Sequence, residues 1–109
     1  MPELRLEIKK YDLARMTNHS NVRAVIFLYS SNESVIARLE FQAENVPTNV
    51  TVQNPGTTNE QIRAYYPIEA YPDVADILRN EKPVWFTCSK ELGYARVETG
   101  KEPVGEGGA

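Results

Sequence analysis

Apolar and polar side chains alternate along several short stretches of the chain. Leu4, Leu6 and Ile8 interleave with Arg5, Glu7 and Lys9, the period of two expected where a strand buries one face. Past Tyr11 the alternation lapses, and DLARMTNHSN (12–21) reads equally as a frayed helical turn or a loop. VRAVIFLYS (22–30) holds an unbroken apolar run from Ala24 to Tyr29. A strand that is apolar on both faces belongs in the interior of a sheet. SSNES (30–34) is a short polar turn. VIARLEFQA (35–43) resumes alternation, with Val35, Ala37, Leu39 and Phe41 on one face and Ile36, Arg38 and Glu40 on the other. Together these two strands predict a hairpin.

The segment 44–61 is rich in turn formers around a short VTV. NPGTTNE (54–60) is a turn signal, because Pro55 fixes φ and Gly56 accepts a positive φ. It joins an expected strand near 49–53 to a longer one, QIRAYY, at 61–66. In the latter Ile62, Ala64 and Tyr66 share the core side, and Arg63 and Tyr65 point outward together. A single helix is predicted over 73–81. Pro72 precedes it where a missing N–H costs nothing, and Asp73 and Asp76 favour the positive end of the helix dipole. Val74, Ile77 and Leu78 form its apolar stripe, and Pro83 stops it. PVWFTCS (83–89) then places Val84, Phe86 and Cys88 inward with Trp85 and Thr87 opposite. KELG (90–93) turns the chain and YARVET (94–99) returns it.

The pattern predicts a mainly β, α+β domain over 1–100 and a flexible C-terminal tail over 101–109. Its expected form is an antiparallel six- to seven-stranded curled sheet, or a partly open barrel of order β-β-β-β-β-α-β-β, with one short helix. Every connection between strands reads as short enough for antiparallel neighbours. The barrel form resembles an OB-fold in setting its helix between the third strand and the last two, although VTV and QIRAYY are then surplus.

Composition narrows the chemistry. The 109 residues carry a net charge of −3. Residues 1–54 hold six Lys/Arg and six Asp/Glu, whereas residues 55–109 hold six and nine, so the second half supplies the whole excess. A polyphosphate binder usually shows a basic excess, so nucleic acid is disfavoured. No stretch approaches the length of a membrane span. MPELRLEIKK lacks the apolar core of a secretory signal, and a cytoplasmic location is expected. The triplets at Asn18, Asn32 and Asn49 then read as chance glycosylation matches. The single cysteine, Cys88, excludes an intramolecular disulfide and a cysteine-cluster metal site, and reads as a small buried residue. The single histidine, His19, sits in a polar loop without the partners that a base or a ligand needs. No phosphate loop, metal-ligand cluster or acid–base constellation is present, and no cofactor or metal site is expected.

The remaining signal is aromatic. Ala64 to Phe86 contains three tyrosines, a tryptophan and a phenylalanine. Arg63, Tyr65, Tyr71 and Trp85 are the candidate binding residues, because large rings with polar handles are favoured at interfaces. The leading expectation is a non-catalytic module that self-associates as a homodimer or binds a protein partner through this surface. One alternative is a small-ligand carrier or small enzyme with a pocket between the helix and the sheet, using tyrosine hydroxyls and Arg63. A second is OB-like single-stranded nucleic-acid binding, with phosphate contacts from Arg5, Lys9, Arg23, Arg38 and Arg63.

Overall fold

A computed structural model describes residues 4–17, 21–31 and 34–99. The expected tail over 101–109, His19, Asn18 and Asn32 lie outside the described residues. The chain runs through β1 (Leu4–Glu7), β2 (Lys10–Arg15), β3 (Val22–Tyr29), β4 (Val35–Gln42), β5 (Thr51–Gln53) and β6 (Gln61–Pro67). A 3-10 turn (Ile68–Ala70) leads into α1 (Tyr71–Asn80), and β7 (Val84–Ser89) and β8 (Tyr94–Thr99) follow. A mainly β chain with one short helix is therefore correct. Three particulars differ from expectation.

First, there are eight described strands rather than six or seven, in two sheets rather than one curled sheet or a barrel. Strands β1, β7 and β8 make a three-stranded sheet in the order β1-β7-β8; the other five make a sheet ordered β2-β3-β4-β6-β5. The extra strand is β2, which overlaps the start of the stretch 12–21 that reads equally as helical turn or loop. Tyr11 and Leu13 pack against the core, paired in register with Leu28 and Ile26, and two apolar positions are too few to announce a strand. β1 and β2 are nearly continuous. Ile8 N–H bonds Val84 carbonyl oxygen and Lys9 N–H bonds Tyr29 carbonyl oxygen, each at 2.9 Å. The chain thus changes sheets between two consecutive residues.

Second, the five-stranded sheet is not wholly antiparallel, because β4 and β6 pair in parallel. The chain leaves β4, lays down β5 at the sheet edge and returns to insert β6 between them. Burial decides that order. Ile62 and Ala64 are buried and Tyr66 packs against the core, whereas β5 offers only Val52. The strand with more apolar surface takes the interior, and the short polar one takes the exposed edge.

Third, the helix begins two residues before the expected 73. Tyr71 already has helical dihedrals, and no side chain caps the start; the 3-10 turn delivers the chain instead. Pro72 is its second residue, still within the first turn where an N–H is dispensable. Val74, Ala75 and Leu78 are buried, so the helix is held by one apolar stripe. Among the described residues no helix is long and apolar enough to cross a membrane.

The inner faces of both sheets close on one core with the helix, built from Ile26, Leu28, Leu39, Phe41, Phe86, Leu78 and their neighbours. Cys88 is fully buried within it. Away from the sheet-switching bend, polar contacts among the described residues also link the two sheets. Val50 N–H bonds Gly93 carbonyl oxygen at 2.9 Å. Lys90 Nζ meets Glu60 Oε2 at 2.8 Å, and Gly56 N–H donates to Glu60 Oε1 at 2.9 Å.

Gly93 sits at φ +81°, and a Cβ built there would come within 2.4 Å of Asn49 Oδ1. Gly93→Ala is expected to cost about 1–3 kcal/mol in chemical denaturation. Gly56→Ala, also at positive φ (+77°) but with nothing within 4 Å, should cost less. Lys90 and the Gly56 N–H hold the Glu60 carboxyl below its ordinary 4.5. A carboxylate depressed in the folded state stabilises above its unfolded value and loses that contribution as pH falls. Thermal melts between about pH 6 and 3 should therefore show the wild type losing its advantage over Glu60→Gln.

Candidate binding surface

The four expected binding residues do not share one surface. Arg63 and Tyr65 point outward from β6, as their parity required, onto the outer face of the five-stranded sheet. Tyr71 opens α1 on the inner side of that sheet. Its half-buried ring meets Phe41 edge-on at 5.3 Å between centroids, while Tyr66 stacks on Phe41 at 5.2 Å. Burial raises the Tyr66 phenol above its ordinary value. The Arg15 guanidinium lies 5.4 Å from the centre of the Tyr71 ring. Tyr71 is thus part of an aromatic wedge between helix and sheet.

Trp85 lies on the outer face of the other sheet, on the far side of the core. Its register neighbours are Glu7 on β1 and Glu98 on β8. The Arg5 guanidinium covers the ring at 4.2 Å, a cation–π contact. The remaining polar groups there are matched. The fully buried Thr87 hydroxyl donates to Glu98, Arg96 Nε contacts the same carboxylate at 3.1 Å, and Arg5 Nε lies at 3.7 Å. The Thr87 hydroxyl, then Arg96, hold the Glu98 carboxyl below its ordinary value, with Arg5 assisting. This face is self-satisfied.

The outer face around Arg63 differs. Pairing places Asp12, Phe27, Arg38, Arg63 and Thr51 in one row across all five strands. The next row is Ala14, Val25, Glu40 and Tyr65. Arg38 and Arg63 are direct cross-strand neighbours, and like charges in that relation repel. Glu40, nearly buried, answers both: Oε2 lies 3.0 Å from Arg38 Nε and 3.9 Å from Arg63 Nη1. Neither Nε–H makes a hydrogen bond, so Arg38 meets Glu40 as an ion pair off its donor axis, and Arg63 Nη1 lies beyond hydrogen-bond distance. Arg38 also leans over Phe27, its guanidinium 5.4 Å from the ring centre. The Tyr65 and Thr51 hydroxyls bond each other at 2.8 Å, and the Tyr29 hydroxyl donates to Asp12 at 2.6 Å. That bond to Asp12 raises the Tyr29 phenol. The Arg38 and Arg63 side chains remain about a third exposed (30% and 34%).

The arginine pair was only half visible beforehand. Alternation turns Arg38 and Arg63 outward, but placing them side by side requires the parallel β4–β6 pairing, which no local signal encodes. Because Arg63 faces away from the helix, a pocket between helix and sheet cannot use it. Among the described residues no group of His, Cys, Asp and Glu is arranged to hold a metal ion. Comparison with known protein families, curated proteins and solved structures finds no match to this chain.

Glu40→Gln leaves the two guanidinia without their shared counter-charge and is expected to destabilise the fold by about 1–3 kcal/mol. Adding Arg63→Met should recover part of that loss. A double-mutant cycle by urea denaturation measures the coupling.

Proposed function

We propose that this protein is a non-catalytic binding module that takes an acidic protein segment on the outer face of its five-stranded sheet. The observation that carries this reading is the register pair Arg38 and Arg63 sharing the single carboxylate of Glu40. Two guanidinia in contact with one carboxylate leave a local positive excess over β4 and β6, since Asp12, in the same row, lies two strands away from Arg38 and is engaged by the Tyr29 hydroxyl. A chain of net charge −3 has set two cations side by side where each stays about a third exposed. Guanidinium groups pair with carboxylates through two parallel N–H donors, and such bonds are stronger than neutral ones. Phe27 and Tyr65 supply apolar ground beside them, which an anchoring side chain of the partner would cover.

Two other readings draw less support. Single-stranded nucleic acid needs ring faces on which bases can stack, and here Arg38 already lies over Phe27. The acidic total also opposes a long polyanion. Self-association through an apolar patch has little to use, since the exposed large apolar side chains among the described residues are Met16 and Leu92, on separate elements.

Fluorescence anisotropy with a labelled Asp/Glu-rich peptide, its Asn/Gln counterpart and oligothymidylate tests the proposal. The acidic peptide should bind at low salt and its amide counterpart should not. Arg38→Ala and Arg63→Ala should each weaken binding about tenfold, the scale of one charge-assisted contact, while Arg96→Ala on the opposite face leaves it unchanged. Absence of peptide binding at low salt overturns the reading. Tighter binding of oligothymidylate through the same two arginines replaces it with the nucleic-acid one.

A further inference from the structure

A second site lies where the chain changes sheets, and it shares no residue with the arginine face. We propose that the cleft beside this bend binds a small amphipathic anion, a carboxylate carrying a short hydrocarbon body.

The cleft has a structural cause. β1 stays with β7 as far as the Ile8–Val84 hydrogen bond, and the next residue, Lys9, already bonds to β3. The sheets part at that point, and the C-terminal end of α1 with the loop 81–83 stands across the gap. The space left measures about 420 Å³, within the range of small-molecule sites.

Its lining is of two kinds. The floor is formed by Ile8, Leu78 and Val84, core residues only 9%, 7% and 5% exposed. The rim carries three cations, Lys9, Arg79 and Lys82, and two acids, Glu7 and Glu81. Lys9 is answered by Glu7 at 3.2 Å. Arg79 has only a 4.0 Å contact with Asp76, and Lys82 makes no ion pair with a described residue. The helix ends here, and its last carbonyls favour one cation. Arg79, in the last turn, fills that role, so Lys82 beyond the helix is surplus to it. Glu81 is the remaining acid at the rim.

An apolar floor beneath a cationic rim discriminates by chemistry. A hydrocarbon body removes the floor from water, at about 0.8 kcal/mol for each CH₂ fully buried. A carboxylate head reaches Lys82, whereas an ammonium head would be repelled by it. Small polar anions gain nothing from the floor.

Titration of the isotopically labelled full chain with hexanoate, acetate, hexanol and hexylamine, followed by amide chemical shifts, tests the proposal. Hexanoate should give saturable shifts confined to residues 7–11 and 78–84. It should bind at least about tenfold more tightly than acetate, the scale of a few half-buried CH₂ groups, and more tightly than hexylamine. Lys82→Glu, an exposed substitution, should weaken hexanoate about fivefold and leave hexanol unchanged. The proposal falls if hexanoate gives no saturable shift there, if hexylamine binds equally well, or if Lys82→Glu has no effect on hexanoate.

Discussion

The architecture depends on two consecutive peptide N–H groups. Along a strand, successive amides point to opposite sides, so a strand at a sheet boundary can satisfy one neighbour with one residue and another neighbour with the next. Ile8 and Lys9 do this, bonding Val84 and Tyr29 in different sheets. The bend ties the three-stranded sheet to the five-stranded one while Ile8 itself enters the core. Once that corner is set, both inner faces must meet, and Leu6-to-Leu13 chain direction fixes which strand edges adjoin. The outer faces then look away from each other, and the helix is left to close what the two sheets alone do not cover.

What could be read in advance follows from whether a feature is local. Side-chain parity is local, and it correctly separated Ile62, Ala64 and Tyr66 from Arg63 and Tyr65, and Val84, Phe86 and Cys88 from Trp85. Helix chemistry is local too, and Pro72, Asp73 and Pro83 marked α1 to within two residues. Strand partnership is not. Nothing in VTV or QIRAYY states that the later strand slips inside the earlier one, and that step creates both the parallel pairing and the Arg38–Arg63 neighbourhood. For the same reason, four aromatic or basic residues close in sequence were scattered. A helix and a change of sheet between Tyr65 and Trp85 carry them to opposite sides of the core, and Tyr71 turns inward onto Phe41.

The two outer faces differ in how their charges are matched by direct contact rather than in the number of charges they carry. Around Trp85, Arg5 and Arg96 meet Glu98, and Glu7 stands next to Trp85 in register. Guanidinia and carboxylates are balanced there, and the buried Thr87 hydroxyl is satisfied as well. Such a surface gains little from a visitor, because each new contact displaces an existing one.

Across the molecule the contacts over β4 and β6 are unequal, two guanidinia meeting one carboxylate. Among the described residues Glu40 is the carboxylate in contact with both Arg38 and Arg63, and it is nearly buried. Its removal from water is costly unless compensated, and two guanidinia compensate it. They in turn retain outward donors that Glu40 cannot reach from one side of the row. The cost of holding two like charges on adjacent strands is tolerable only while something anionic lies between or above them. Glu40 provides the first, and the exposed third of each arginine provides room for the second. A sheet face built only for stability could place threonine or valine at these positions, which fit the pleated surface without a counter-ion. The arginines on this acidic chain therefore distinguish the face by the charge they leave incompletely answered, which is the feature on which the proposed binding of an acidic segment rests.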